Sequence, residues 1–67
     1  MTPHYYMISV CFPGGNGCFE YSTAAMGRAL ARELNDAAKG SFPNAENIII
    51  SSVYDCGEDE KYVEEAP

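Results

Sequence analysis

The chain is 67 residues long, 46% hydrophobic, with three cysteines and a formal net charge of −6. That length allows one domain, and the hydrophobic content suffices for a core, which excludes a disordered acidic peptide. Four Lys and Arg against ten Asp and Glu disfavour direct binding to nucleic-acid phosphates, which needs cationic contacts and released counterions.

Residues 4–12, His-Tyr-Tyr-Met-Ile-Ser-Val-Cys-Phe, are rich in aromatic and β-branched types and read as a strand. Alternation puts Tyr6, Ile8, Val10 and Phe12 on one face and Tyr5, Met7, Ser9 and Cys11 on the other. Pro13-Gly14-Gly15-Asn16-Gly17 reads as a five-residue turn, because Gly and Asn supply the positive φ angles of tight reversals. Cys18-Phe19-Glu20-Tyr21 is then a short return strand, with Phe19 and Tyr21 on one face and Cys18 and Glu20 on the other. The Gly-rich turn is no phosphate loop. It lacks Gly-Lys-Ser/Thr and leads into a strand instead of a helix.

From Ser22 or Thr23, either one a suitable N-cap, to about Lys39 the pattern turns helical. Met26, Ala29, Leu30, Leu34 and Ala37 form an apolar stripe, with Met26, Leu30 and Leu34 expected in the core. Arg28, Arg32, Asn35, Asp36 and Lys39 lie toward solvent, and Gly40 marks a C-terminal stop. Ser41 to Glu46 is a connector in which Pro43 prevents helix continuation. Asn47 to Tyr54, with three successive isoleucines, is the last strand. Simple alternation there sets Ile48, Ile50, Ser52 and Tyr54 against Ile49, Ser51 and Val53.

The predicted fold is α+β: β-β-α-β, a three-stranded sheet in order 2-1-3 with one helix packed on one face. A last strand beside the first, reached across the helix, is expected to run parallel to it through a right-handed crossover. Residues 1–54 form this domain and residues 55–67 an acidic C-terminal segment, a short helix or a mobile tail. Charge divides the same way. Glu20, Glu33, Asp36 and Glu46 against Arg28, Arg32 and Lys39 leave −1 over residues 1–54. Asp55, Glu58, Asp59, Glu60, Glu64 and Glu65 against Lys61 leave −5 over residues 55–67.

An odd count of cysteines (Cys11, Cys18, Cys56) without Cys-x-x-Cys reads as reduced thiols in the cytosol; a Cys11–Cys18 bridge across the hairpin is the alternative. His4 has no ligand neighbours in the sequence, so no metal and no cofactor is expected. The start, Met1-Thr2-Pro3-His4-Tyr5, lacks a basic n-region, and the apolar runs are too short to span a bilayer. A soluble, cytoplasmic protein without membrane contact is the expectation.

Size weighs against catalysis. A domain this short buries only about 60% of its unfolded surface, and a stability on the order of 3–10 kcal/mol is expected. That is a small margin against which to hold a preorganised cleft. No nucleophile–base pair can be placed from spacing, and His4 near the start of the chain is a poor place for a buried base. The expected class is therefore a binding protein, not an enzyme.

Two features suggest where it binds. Both faces of both long strands carry apolar side chains, yet one helix covers one face. The second face is covered by the termini, or it serves a partner or a second copy in a homodimer. The acidic end is a solvating tail, or it attracts a protein with a basic groove, such as a nucleic-acid-binding complex. On the second reading Asp55, Glu58, Asp59, Glu60, Glu64 and Glu65 dock on the groove, and Tyr54 and Tyr62 serve as desolvated anchors. The general character, tiny, folded and acidic, is shared by many phage-encoded inhibitors of host defence, including anti-CRISPR proteins and other DNA mimics. That likeness is one of type and singles out no residue. An assembly module that oligomerises through the open sheet face or an edge strand is the second hypothesis. A small thiol enzyme using Cys11 or Cys18 ranks last.

Overall fold

A computed structural model describes residues 2–59. Strand β1 (His4–Phe12), strand β2 (Gly15–Thr23), helix α1 (Gly27–Ser41) and strand β3 (Ile49–Glu58) follow in that order. The sheet order is β2-β1-β3, so the predicted α+β architecture and the 2-1-3 arrangement are both present.

The hairpin is tighter than expected. Phe12 pairs with Gly15, which leaves only Pro13 and Gly14 in the loop. Proline fixes a negative φ at the first loop position, and Gly14 supplies φ 94° at the second. That is the sequence signature of a type II turn. The tighter loop lengthens β2 at both ends, from the expected Cys18–Tyr21 to Gly15–Thr23.

One expectation about direction is overturned: β3 runs antiparallel to β1. The hairpin has already reversed the chain before α1 begins. The helix carries it back along the sheet, so β3 descends alongside β2's direction with β1 between them. The crossover joins β2 to β3, and the parallel pair of the fold is those two non-adjacent strands.

The helix also starts later than expected. Thr23 ends β2, and its Oγ1 accepts the N–H of Ala25 at 3.0 Å, a local side-chain turn. Met26 is the N-cap, in extended conformation and without a side-chain cap bond. It lies outside the helical stripe and is 71% exposed, so it does not belong to the core. Leu30, Leu34 and Ala38, spaced by four, form the packing stripe instead. At the other end the Phe42 N–H closes the helix on the Ala38 carbonyl at 3.0 Å.

The core is small: Tyr6, Ile8 and Val10 of β1 under Leu34 and Ala38 of α1. The predicted alternation of β1 holds, with Phe19 and Tyr21 of β2 on the same side. At the hairpin end, Phe42 packs against Phe12 and Phe19 with ring centroids 5.8 and 6.4 Å apart. A polar clamp fastens α1 to β2: Tyr21 Oη and Thr23 Oγ1 each donate to Glu33 Oε1 at 3.0 Å.

Strict alternation fails in β3. Ser9 pairs with Ser52 while Val10 pairs with Ile50, so Ser51 is an extra residue, a β-bulge. It brings Ile50 and Val53, opposite Val10 and Ile8, to the helix side, and Ile49, Ser52 and Tyr54 to the open side. A second irregularity lies between the Tyr6–Asp55 and His4–Glu58 pairs. Gly57 sits in it with φ 96°, a conformation that favours glycine.

Candidate functional site

β3 extends through Glu58, so residues 55–58 belong to the sheet and are neither a tail nor a separate helix. The strand's alternation then splits the residues expected to act together. Tyr54 stands opposite Met7 on the open face and is 68% exposed. Asp55 stands opposite Tyr6, on the helix side. Glu58 is exposed opposite His4. Asp59 follows the strand: its N–H donates to the Pro3 carbonyl at 2.9 Å, and its Oδ2 accepts the Ser22 hydroxyl at 2.6 Å. Ser22 pairs with Tyr5, which places this contact on the open side. The other expected contacts, Glu60, Tyr62, Glu64 and Glu65, lie outside the described residues.

Asp55 is already engaged. His4 Nδ1 donates to its carboxylate at 3.0 Å, and the Gly57 N–H donates to Oδ1 at 2.7 Å. The Gly57 amide first, then His4, hold its carboxyl below the usual carboxylate range. His4 in turn stacks on Tyr6, with ring centroids 6.3 Å apart.

The open sheet face is built from Tyr5, Met7, Ser9 and Cys11 of β1, Cys18, Glu20 and Ser22 of β2, and Ile49, Ser52 and Tyr54 of β3. No described residue covers it: α1 packs on the opposite side, where the core lies. Its composition is apolar and hydroxyl-rich. Its carboxylates, Glu20 and Asp59, lie toward the end where β1 begins. Of the described cations, Arg28, Arg32 and Lys39 are on α1, and His4 faces Asp55 on the helix side. The described cations thus all lie on the helix layer, beside the carboxylates of Glu33, Asp36 and Asp55, while the open face carries Glu20 and Asp59 and no described cation.

Glu20 is the residue that the expectation omitted. Alternation in β2 places it on this face, but a single carboxylate in a strand carries no sequence signal that sets it apart from other surface acids. Its effect is visible on Tyr5, whose hydroxyl is pushed up to about 12, chiefly by a hydrogen bond to Glu20, with the negative charge of Asp59 adding to it. A phenol that stays neutral at all ordinary pH values keeps its hydrogen available for donation.

Cys11, Cys18 and Cys56 are free and exposed. Cys18 pairs with Ser9 and Cys11 with Asn16, so the two thiols are diagonal and not directly opposed. Among the described residues no three His, Cys, Asp or Glu side chains converge on a position that could hold a metal ion. No described helix is long and apolar enough to cross a membrane.

Two concavities flank the helix layer. A groove of about 580 Å³ runs between α1 and β3, lined by Leu30, Leu34, Ile48, Ile50 and Val53 among others. It exists because α1 packs closest to β2 and leaves the helix side of β3 partly bare. A second hollow, of about 560 Å³, lies between the hairpin tip and the α1–β3 connector, with Glu46 as its charged lining residue.

No family model matches the chain, and no curated protein or solved structure is detectably similar to it.

Proposed function

We propose that the protein is a stoichiometric binding inhibitor that occupies the basic groove of a nucleic-acid-binding protein and excludes the nucleic acid. The observation that supports this is the make-up of the open sheet face. The open face presents Glu20 and Asp59 beside the hydroxyls of Tyr5, Ser22 and Tyr54, with no described cation among them. Carboxylates and hydroxyls spaced along a flat face offer Lys- and Arg-rich grooves the acceptors that phosphates otherwise supply. Glu60, Glu64 and Glu65 follow in the sequence and add to the net negative charge that draws a basic partner. Tyr54, large and exposed, is the anchor around which water is excluded. On this reading the protein works inside the cell, needs no cofactor and catalyses nothing.

The test is capture from lysate followed by competition. The captured protein must bind nucleic acid, must be released by salt, and must lose its nucleic acid stoichiometrically when this protein is added. A truncation after Asp59 retains the whole sheet, whereas one after Tyr54 removes four residues of β3. Paired Glu20→Lys and Tyr54→Ala variants should abolish competition. A partner held equally well at high salt by the Glu20→Lys variant would sink the proposal.

A further inference from the structure

We propose that the outer edge of β3 pairs antiparallel with β3 of a second copy, joining two sheets into one six-stranded sheet about a two-fold axis between Ser51 and Ser52. This goes beyond the binding reading above and does not rest on it.

The first argument is where exposure concentrates. Among the described residues five large hydrophobics are exposed, and three of them, Ile49 (62%), Val53 (44%) and Tyr54 (68%), sit on this one edge strand. Edge strands present unpaired backbone donors and acceptors, and proteins that stay monomeric blunt them with charge, proline or cover. From Ile49 to Tyr54 there is no charge and no proline.

The second argument is self-complementarity. Residues directly opposite each other in an antiparallel pair share a face. A two-fold axis between Ser51 and Ser52 sets Ile50 opposite Val53 of the second copy, and Ile49 opposite Tyr54. The bulge at Ser51 makes these matches correct: Ile50 and Val53 both lie on the helix side, and Ile49 and Tyr54 both on the open side. In a strand without the bulge, this register would force each pair onto opposite faces. A bulge usually discourages edge pairing, but here both copies carry it at the axis, so neither strand gains a residue on the other.

Charge supports the same register. Asp55 falls opposite Ile48 of the second copy, and no carboxylate of the strand falls opposite another. Ile48 lines a hollow together with Lys39, which has no carboxylate partner among the described residues of its own chain. Asp55 and Lys39 both lie on the helix side, so the pairing brings each acid toward a cation of the other copy. The two α1–β3 grooves meet across the axis, which buries Ile50 and Val53 of both copies between the helices.

Sedimentation of the full chain should give twice the 7.3 kDa protomer mass, falling to one protomer on dilution. Val53→Lys and Tyr54→Lys should each weaken the dimer by about tenfold or more, because a charge is forced into a small apolar contact. Lys39→Glu should weaken it roughly two- to fivefold at low salt, the usual range for an exposed ion pair. Met7→Lys, on the central strand, should leave it unchanged. Hydrogen exchange should slow in β3 as concentration rises and not in β2, the other edge. Tyr54 is mostly exposed, so its variant keeps the test valid if Val53→Lys fails to fold. A monomer at every concentration overturns the proposal, as does a dimer that survives both lysine variants or yields to Met7→Lys instead.

Discussion

Gly17 and Phe42 leave room for only one side chain: a Cβ on Gly17 would stand 2.6 Å from Cζ of the Phe42 ring. The ring closes the hairpin end of the core between Phe12 and Phe19, so it cannot swing away without losing both contacts. Gly17→Ala should therefore destabilise the fold by about 1–3 kcal/mol, as overpacking does. Gly40 is the control. It is helical and open, with no atom within 4 Å of an added Cβ. Gly40→Ala should stabilise by about 0.5–1 kcal/mol. Thermal melts of the two variants, moving in opposite directions, check both statements.

Glu33 ties the helix to the outer strand of the hairpin through Tyr21 and Thr23. The Tyr21 hydroxyl is pushed up, first by that hydrogen bond, then by burial and the carboxylate's charge. Glu33→Gln should cost about 1 kcal/mol, the net worth of a partly exposed charge-assisted bond. It should also lower the pH at which one tyrosine ionises. Denaturant melts and a tyrosinate absorbance titration measure the two effects on the same sample.

The strand order and the faces of β1 were legible because each rests on a dense signal: nine residues of alternating aromatic and β-branched character, then a Pro-Gly turn. The direction of β3 follows from the hairpin: β2 already runs opposite to β1, so a helix that carries the chain back returns β3 antiparallel to β1, and the crossover rule applies to β2 and β3 instead. The bulge at Ser51 was not legible. Ser51 and Ser52 are both small and polar, so neither declares a face, and the shift from Ile50 to Val53 shows only in the pairing. The late helix start was hidden for a related reason: Ser22 and Thr23 are good strand residues and good caps, and pairing with β1 decided between them. The acidic segment is contiguous in sequence but not in space. Once residues 55–58 enter the sheet, Asp55 stands on the helix side while Asp59 reaches Ser22 on the open side.

Asp55 should govern stability on the acid side. Its carboxyl is held below its usual 3.8 by Gly57 and His4. A depressed carboxylate stabilises the fold fully above its unfolded value and loses that contribution as pH falls through the folded one. Asp55→Asn should thus lower the melting temperature at neutral pH, and the gap from the parent should close as pH falls below about 4. Gly57→Ala tests the other half of this turn. Its φ of 96° is strained for any L side chain, so a loss of about 1–2 kcal/mol is expected at every pH. Melting curves across an acid series separate the pH-dependent loss from the constant one.

Tyr5 and Glu20 make the opposite case at high pH. The hydrogen bond from the phenol to Glu20 favours the neutral form and carries the hydroxyl from 10.0 to about 12. Because the folded value lies above the unfolded one, the contribution is complete below pH 10 and disappears as pH rises through 12. Glu20→Gln removes the charge and the strong acceptor together, and Tyr5 should then ionise closer to 10. Tyr5→Phe should delete the highest-titrating of the described tyrosines from the absorbance curve while leaving the transitions of Tyr6 and Tyr21 in place. If Glu20→Gln leaves the curve unmoved, the two side chains do not meet in solution. The open face would then lack the Tyr5–Glu20 pairing beside which a partner's basic side chain is proposed to dock.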